Sequence, residues 1–414
     1  MLTKDFIELE EKYGAHNYHP LDVVIDRAEG VWVYDVEGNK YLDCLAAYSA
    51  VNQGHCHPRI VKALKDQAEK VTLTSRAFRN DQLPFFYKEV CELTGYTAVL
   101  PMNSGAEGVE TALKAARKWG YKIKGIEGNS AEIITCSNNF AGRTISVISF
   151  SSVEQYKEGF GPFTPGFKII EFGNSEALEK AITKNTVAFL VEPIQGEGGV
   201  IVPPDGYLKK AFDICKKNNV LFIADEIQSG LGRSGKLFAF ENFGIIPDMV
   251  VLGKGLGGGI MPLAALLTRE SLNVGGHMAL GHYTHEKNPV SCAAGLATLE
   301  VILEERLPER AAELGAYALE QLRKMAERHP LMADVRGLGL LLGVELSKVG
   351  PDGTFQPAVA AAERVMYESL KRGLNFKVTM GNVLTLTPAL TISRTELDLA
   401  LKILDEAIAE AEKE

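Results

Sequence analysis

Short runs of consecutive apolar residues alternate with helical segments between about residues 58 and 290. The runs are TAVLPM, AEIITC, FKIIEF, TVAFLVEP, NVLFIADE and DMVVLGK. Consecutive rather than alternating apolar residues are typical of strands that are buried on both faces of a parallel sheet. The pattern therefore predicts a large α/β domain over residues 58–290.

The two ends of the chain show different patterns. An acidic amphipathic helix (MLTKDFIELEEKYG) precedes GVWVYDVEGNKYLDCL, where alternating apolar residues flank the turn-forming EGN and predict a hairpin. From about residue 291, a long helix (CAAGLATLEVILEE) precedes further amphipathic helices and strands near GLGLLLGVEL and NVLTLTP. We predict that residues 1–57 and 291–414 pack together as a smaller α+β domain.

Composition and charge exclude several classes of function. The 414 residues are 46% hydrophobic and 23% charged, which is ordinary for a globular protein. The 44 Lys and Arg residues against 53 Asp and Glu give a net charge of −9, which argues against nucleic-acid binding. Because no run of about 18 apolar residues exists and the first residues do not resemble a signal peptide, we predict a cytoplasmic protein without a membrane partner.

Cysteine and histidine spacing gives no indication of a metal site. The six cysteines form no CxxC pair, and the histidine pairs in GHCHP and GHYTHEK have no thiolate or carboxylate cluster at a suitable interval. We therefore expect reduced thiols, no metal, and turn or site-wall roles for the histidines.

Small residues follow the first apolar run, at a point where a helix begins. TAVLPM is followed by Asn103, Ser104, Gly105, Ala106 and Glu107, and then by the strong helix former VETALKAARKW. A helix N-terminus presents free N–H groups and the positive end of its dipole to a phosphate. The alternative is a tight turn without a ligand, because small residues are common in such turns.

Charged residues follow two later strands. Asp225 ends NVLFIAD, and Lys254 follows DMVVLG within a glycine-rich segment. A buried acid requires a cationic partner, and a buried lysine is either ion-paired or has its pKa lowered for Schiff-base chemistry. One alternative is therefore that Asp225 and Lys254 simply pair with each other.

The second alternative is that these residues bind pyridoxal 5′-phosphate (PLP). This cofactor requires a lysine, a carboxylate that keeps its pyridine nitrogen protonated, a phosphate site, and an aromatic ring against its face. The lysine and the carboxylate can be Lys254 and Asp225, and the phosphate site can be the turn at 104–106. Phe140 in SNNFAGRT can supply the ring. Gln228 is placed to donate to the phenolic oxygen of the cofactor.

At these residues the sequence resembles the class III aminotransferases of fold type I, and within them most closely the ornithine aminotransferases. The matching stretches are YGAHNYHP, SAVNQGHCHP, LTSRAF, LPMNSGAEGVETALKAARKWGY, NFAGRT, VEPIQGEGG, LFIADEIQSGLGRSG and VLGKGLGGG. The resemblance implies a large domain with a mostly parallel seven-stranded sheet and a smaller α+β domain formed by both termini. It also implies a homodimer with shared active sites, and higher oligomers are left open.

The resemblance also implies a reaction and a set of PLP-binding residues. The reaction moves the terminal (δ) amino group of ornithine, or of a similar diamino acid, to an oxo acid and gives glutamate semialdehyde. Lys254 corresponds to the Schiff-base lysine and Asp225 to the partner of the pyridine nitrogen. The remaining cofactor contacts correspond to Ser104, Gly105, Ala106, Phe140, Gln228 and, from the neighbouring subunit, Thr284.

Substrate-binding residues correspond in the same way. Tyr18 and Arg143 match residues that hold the α-carboxylate of the substrate, and an arginine fork suits that task physically. Tyr48 matches a residue that helps to select ornithine, and Glu197 matches the gating glutamate of the family. The alternative for Arg143 is a surface or helix-capping ion pair.

Three segments depart from the family pattern. Ornithine aminotransferases carry an arginine before a C-terminal Pro-Pro motif, where it neutralises the gating glutamate and binds 2-oxoglutarate; here Thr385 takes its place, so Glu197 has no evident partner. A Gly-Gly pair is replaced by Glu286 and Lys287, and the aromatic residue after the stacking phenylalanine is replaced by Ala141.

These departures leave alternative functions open. A PLP-dependent racemase or epimerase, or an amine lyase, has no need of a 2-oxoglutarate clamp, and His285 or Lys287 would serve a racemase as a second base if it pointed inward. The other interpretation of these side chains is a solvated ion cluster. A binding protein that has lost activity is a third hypothesis, against which the joint retention of Lys254, Asp225, Gln228 and Arg143 argues.

Overall fold

The computed structural model of the protein describes residues 1–274, 280–350 and 353–413. Residues Ala46–Ser49 have a left-handed backbone, with φ between 45° and 68°. The helices in chain order are α1 (Thr3–Tyr13), α2 (Ala46–Ser49), α3 (Pro58–Ala68), α4 (Leu83–Thr94), α5 (Gly105–Trp119), α6 (Ile145–Ile148), α7 (Ser175–Ala181), α8 (Tyr207–Lys217), α9 (Pro289–Glu304), α10 (Leu307–Ala326), α11 (Val359–Lys371) and α12 (Arg394–Ala411).

In the part of the chain that the structure describes, the strands form three separate sheets. In chain order they are β1 (Ile25–Glu29), β2 (Trp32–Asp35), β3 (Lys40–Asp43), β4 (Ala98–Met102), β5 (Glu132–Cys136), β6 (Phe167–Ile170), β7 (Thr186–Val191), β8 (Leu221–Asp225), β9 (Met249–Leu252), β10 (Ala264–Thr268), β11 (Met332–Leu338), β12 (Leu341–Val349), β13 (Phe355–Pro357), β14 (Leu374–Asn375), β15 (Lys377–Thr379) and β16 (Val383–Leu386).

The central sheet has seven strands in the order β4-β10-β9-β8-β7-β5-β6. Strands β9, β8, β7, β5 and β6 run parallel to one another, whereas β10 pairs antiparallel with both β9 and β4. Every residue of β7, β8, β9 and β10 is buried, as expected for strands covered on both faces. The predicted mostly parallel seven-stranded sheet is confirmed.

Segments from both ends of the chain meet in a second sheet. Its order is β1-β2-β3-β14, in which β2 and β3 form the predicted antiparallel hairpin and β14 pairs parallel with β3. A third sheet, β11-β12-β16-β15, carries β13 at its side. The two termini thus share an α+β unit, and the boundaries at residues 57 and 290 stay predictions.

Helix α5 begins beside the carboxyl end of the central sheet. Its N-cap is Ser104, and a reciprocal capping box with Glu107 fixes the first turn. Small and apolar side chains on one face, including Val109, Ala112 and Ala116, are fully buried where α5 packs on the sheet. The buried face therefore sets the direction in which the helix N-terminus points.

Within the described residues, no helix is both long enough and apolar enough to cross a lipid bilayer. The six cysteines are free, and in the same part of the chain no group of three His, Cys, Asp or Glu side chains lies close enough to hold a metal ion.

Candidate active site

A cavity of about 170 Å³ lies beyond the carboxyl ends of the parallel strands. Ligands of open α/β sheets bind at this edge, because loops and helix N-termini converge there. The cavity is lined by Gly105, Ala106, Phe140, Ala141, Gly142, Glu192, Asp225, Ile227, Gln228 and Lys254. Six of the twelve predicted site residues are in this set, and Ser104 and Arg143 are directly adjacent to members of it in the chain.

Lys254 starts a short 3₁₀ turn directly after β9 and has a φ of 44°. Burial lowers the pKa of its ammonium group, and the negative charges of Glu197, Asp225 and Glu192 oppose that effect. Its amine makes no hydrogen bond or ion pair with any residue that the structure describes. A lysine that is surrounded by protein and opens onto a cavity in this way is chemically available to a ligand.

Asp225 is the last residue of β8 and is only 5% exposed. Burial raises its pKa to about 6, although the Ile227 N–H (3.1 Å) and the Lys254 charge lower it. Asp225 and Lys254 do not form an ion pair with each other, so the simple pairing alternative is wrong. Since a buried carboxylate without a cation at hydrogen-bonding distance is costly, the site favours a positively charged ligand.

Gln228 directs an amide at the same cavity. Among the described residues its side chain has no hydrogen-bond partner. Gly196 packs against it so closely that a Cβ at position 196 would lie 2.1 Å from the Oε1 atom of Gln228. Gly196, the first glycine of QGEGG, is therefore required for the position of the Gln228 amide.

The first turn of α5 forms one end of the cavity. The Ser104 hydroxyl accepts from Glu107 N at 3.3 Å, and the Ser104 N–H donates to the Glu107 carboxylate at 3.2 Å. Gly105 and Ala106 are the next residues, and their N–H groups have no acceptor within a helix. Gly142 (φ 119°) passes so close that a Cβ would lie 2.8 Å from the Cβ of Ala106. The turn thus presents free backbone donors to an anion.

Phe140 lines the cavity beside Ala141, as predicted for a ring that covers one face of a ligand. Its backbone N–H donates to Glu192 at 3.0 Å, and its ring meets that of Tyr156 edge-on with centroids 6.3 Å apart. The loop is therefore fixed from two sides.

Glu192 is a buried acid that sequence reasoning missed. It follows β7 and accepts the N–H groups of Phe140 (3.0 Å) and Gly196 (3.4 Å), so it joins two loops of the cavity. Burial, together with the nearby Asp225 charge, raises its pKa to about 8. The signal was present in TVAFLVEP, where a glutamate follows a largely apolar strand, much as Asp225 ends another.

Arg143 lies on the exposed side of this loop. Its guanidinium stacks on the ring of Tyr156 at 3.5 Å and is 5.6 Å from the centroid of Phe140. It forms no ion pair with any described residue, so the surface ion-pair alternative is wrong. Because aromatic faces hold a guanidinium without using its N–H groups, these donors remain available for a carboxylate.

Tyr18 and Tyr48, two of the predicted substrate-binding residues, contact each other, and the Lys377 ammonium lies over the Tyr48 ring. Their hydroxyl oxygens are 3.1 Å apart, and Tyr18 is 67% exposed. Tyr48 has a φ of 60° within left-handed α2, a backbone conformation that residues other than glycine rarely adopt. Such backbone is retained only where the surroundings determine it, which fits a side chain that must point in one direction.

Glu197 has a partner, contrary to the expectation from sequence. Its Oε2 atom accepts from Lys377 Nζ at 3.0 Å. Thr385, which stands where the family arginine was expected, instead shares a hydrogen bond of 2.8 Å with the Thr379 hydroxyl. The cation that neutralises Glu197 is supplied by β15 rather than by β16.

The segment 283–289 lies away from the cavity of its own chain. Glu286 is buried, pairs with Arg76 and accepts from Tyr283 N at 2.9 Å. Lys287 donates to the carbonyl oxygens of Arg76 (3.0 Å) and Phe78 (2.7 Å). Of this segment, Glu286 is buried against Arg76, Lys287 is half-buried and bonded to backbone carbonyls, and His285 is exposed; neither Lys287 nor His285 lines the cavity.

Comparisons with known proteins agree with this geometry. An ornithine aminotransferase of Geobacillus sp. (strain WCH70) is 53% identical over 412 residues, which cover 98% of this chain and 99% of the relative. The enzyme of that name from Bacillus subtilis (strain 168) is 51% identical over 411 residues, covering 99% and 98%.

Solved structures give the same result. The ornithine aminotransferase of Toxoplasma gondii superposes with a TM-score of 0.95 at 40% identity, covering 100% of this chain and 95% of that one. The acetylornithine aminotransferase of Elizabethkingia anophelis has a TM-score of 0.87 at 45% identity, covering 99% and 100%. The family model for class-III aminotransferases matches residues 13–408. The chain belongs to the class-III aminotransferases.

Proposed function

We propose that the protein transfers the δ-amino group of ornithine, or of a close diamino acid, to an oxo acid and releases glutamate semialdehyde. One observation carries this proposal: Lys254, Asp225 and Gln228 converge on one cavity without side-chain partners among the described residues, in a chain 51–53% identical to ornithine aminotransferases over nearly its whole length. The δ-amino specificity is drawn from those relatives and from the placement of Arg143.

The cavity residues fit PLP as cofactor. Asp225 is a buried carboxylate that lacks a cation at hydrogen-bonding distance, and a protonated pyridine nitrogen would supply one. Gln228 has a free amide for the phenolic oxygen, the N–H groups at 105–106 are free for the phosphate, and Phe140 lines the cavity for the ring face. When bound, PLP supplies an aldehyde carbon for amines and a ring that withdraws electrons.

Each cavity residue then has a defined task. Lys254 is the residue that would hold the aldehyde group of PLP, and its amine, when neutral and free, would take the proton from the δ-carbon of ornithine. The lowered pKa of Lys254 suits this task, because a neutral amine is required for both steps. The Asp225 carboxylate stabilises the positive charge on the cofactor ring.

Arg143 and Tyr18 determine which end of the substrate reacts. With the α-carboxylate of ornithine held by the free guanidinium of Arg143, the distal amine is the one that reaches Lys254. Tyr48 restricts the space beside this path through its contact with Tyr18. Ornithine thus binds with its carboxylate outward and its δ-amine inward.

A homodimer is part of the proposal. Thr284 is exposed and lies outside the cavity of its own chain, so a role in binding phosphate requires that Thr284 of the partner subunit reach the site. The amino acid and the oxo acid are the proposed small-molecule partners. The cytoplasmic location stays a prediction from sequence.

Replacing Arg143 with methionine tests the orientation of the substrate. We expect kcat/KM for ornithine to fall by about 10- to 100-fold, mainly through KM, because one charge-assisted contact is lost. The corresponding value for 1,4-diaminobutane, which has no carboxylate, should change by less than about 3-fold.

A matched control is Arg394→Met, since Arg394 also stacks on a tyrosine (Tyr317, 3.1 Å) but lies on α12. Steady-state kinetics with both amines measure the effect. Equal losses for ornithine and the diamine in Arg143→Met would contradict the carboxylate role.

The racemase and lyase alternatives are not favoured. They depended on the missing arginine and on a second base in the segment 283–289. Glu197 has a cationic partner in Lys377, and the relatives that are 51–53% identical over nearly the whole chain are ornithine aminotransferases.

A further inference from the structure

Lys377 and Thr385 are directly paired neighbours on two antiparallel strands. In the register of β15 and β16, Lys377 lies opposite Thr385, and Thr379 lies opposite Val383. Directly opposed residues project from the same face with Cβ atoms about 5 Å apart. A cation on β15 therefore occupies the region that a side chain at position 385 would otherwise reach.

The ammonium group of Lys377 contacts one carboxylate and one aromatic ring. It lies 3.0 Å from Glu197 Oε2 and 4.4 Å from the centre of the Tyr48 ring. The side chains of Lys377 and Glu197 are 28% and 15% exposed, so the pair faces an opening rather than the core. One carboxylate neutralises the lysine, and a second carboxylate has access to it.

This pair is electrostatically linked to the reacting amine. Glu197 directly follows Gly196, which packs against Gln228 at the cavity. From this position Glu197 raises the pKa of Lys254, whereas Lys377 lowers it. Asp225 and Glu192 also line that cavity. A carboxylate that enters the site meets several acidic groups and needs a nearby cation to bind.

The two substrates of the proposed reaction differ at the reacting carbon. In ornithine this carbon is a CH₂ group without a neighbouring charge, whereas in a 2-oxo acid it carries a carboxylate. A cation is needed beside the reacting carbon only in the second case. While ornithine is bound, the same cation must be neutralised by a protein group, because an unpaired charge at a partly buried site is costly.

We propose, on the basis of the function proposed above, that Lys377 binds the α-carboxylate of the oxo-acid acceptor. Glu197 is its counter-ion while the amino donor is bound and gives way when the acceptor carboxylate arrives. Lys377 thereby determines that the acceptor is a 2-oxo acid rather than a simple aldehyde.

Substitution of Lys377 by methionine tests this proposal in the acceptor half-reaction. We expect kcat/KM for 2-oxoglutarate and pyruvate to fall by about 10- to 100-fold more than that for succinic semialdehyde, which has no α-carboxylate. Glu197→Gln should have the opposite sign and raise the affinity for 2-oxoglutarate, because it frees the lysine. Lys377→Arg should retain most of the preference for oxo acids.

Binding of glutarate, an unreactive dicarboxylate, gives a readout that does not depend on turnover. Calorimetry should show a Kd increased by about 10-fold or more in Lys377→Met, but unchanged in Lys402→Met, which removes an exposed lysine on α12. Equal losses for oxo acids and the aldehyde, or glutarate binding that does not change, would overturn the proposal. If the parent enzyme gives no semialdehyde from ornithine, the proposed function has failed instead.

Discussion

Replacing Lys254 with alanine is expected to lower the rate of the ornithine half-reaction by at least about 1,000-fold. The side chain has two tasks in the proposed mechanism, since it holds the cofactor and then moves the proton at the δ-carbon. No other amine lines the cavity within the described residues, so nothing in this part of the chain replaces it. Stopped-flow absorbance of the cofactor band after mixing with ornithine measures the rate.

The control for Lys254→Ala is the stability of the cofactor-free protein. Burial disfavours the charged form of Lys254, as its lowered pKa indicates. Removing the amine should therefore not lower the melting temperature of the cofactor-free enzyme. Turnover above a few per cent of the parent rate, with the fold intact, would contradict the assignment.

Asp225→Asn is expected to reduce the ornithine half-reaction by about 100- to 1,000-fold and to weaken PLP binding. The amide has nearly the same shape and can still accept from Ile227 N, so the substitution mainly removes the negative charge. The cofactor ring then loses the carboxylate that keeps its nitrogen protonated. Cofactor titration and the same stopped-flow experiment measure both effects.

The stability of the cofactor-free Asp225→Asn variant should change in the opposite direction. The folded pKa of Asp225 is raised to about 6 by burial, from the ordinary value of 3.8. Its charge therefore destabilises the cofactor-free parent progressively as the pH rises from about 4 to about 6, and the penalty stays constant above that range.

Because asparagine is neutral, the variant should gain stability relative to the parent over this interval. The gain is on the order of 2 kcal/mol. Urea denaturation at pH 4 and pH 7 checks it. A stability difference that does not depend on pH would contradict the buried, unpaired state of this carboxylate.

The sequence was sufficient to predict the central sheet and the residues at its strand ends. Apolar runs such as NVLFIA are local signals, and each identifies the next residue as a side chain at the carboxyl edge of the sheet. Asp225 and Lys254 could therefore be placed together before any contact was known. Glu192 followed from the same rule and was overlooked.

The partner of Glu197 could not be found in this way. It depends on the register between β15 and β16 and on a contact between residues 180 positions apart in the chain. Similarly, the stacking of Arg143 on Tyr156 and the burial of Glu286 against Arg76 join different loops. Contacts of this kind arise from packing rather than from local periodicity.

The most direct test of the proposed function uses purified, PLP-loaded enzyme and L-ornithine without any acceptor. The cofactor band is followed spectrally while chiral chromatography follows the amino acid. The proposed reaction predicts one equivalent of glutamate semialdehyde per active site, with conversion of the cofactor to its amine form and no further turnover. Repeated turnover that produces D-ornithine or free ammonia would contradict it.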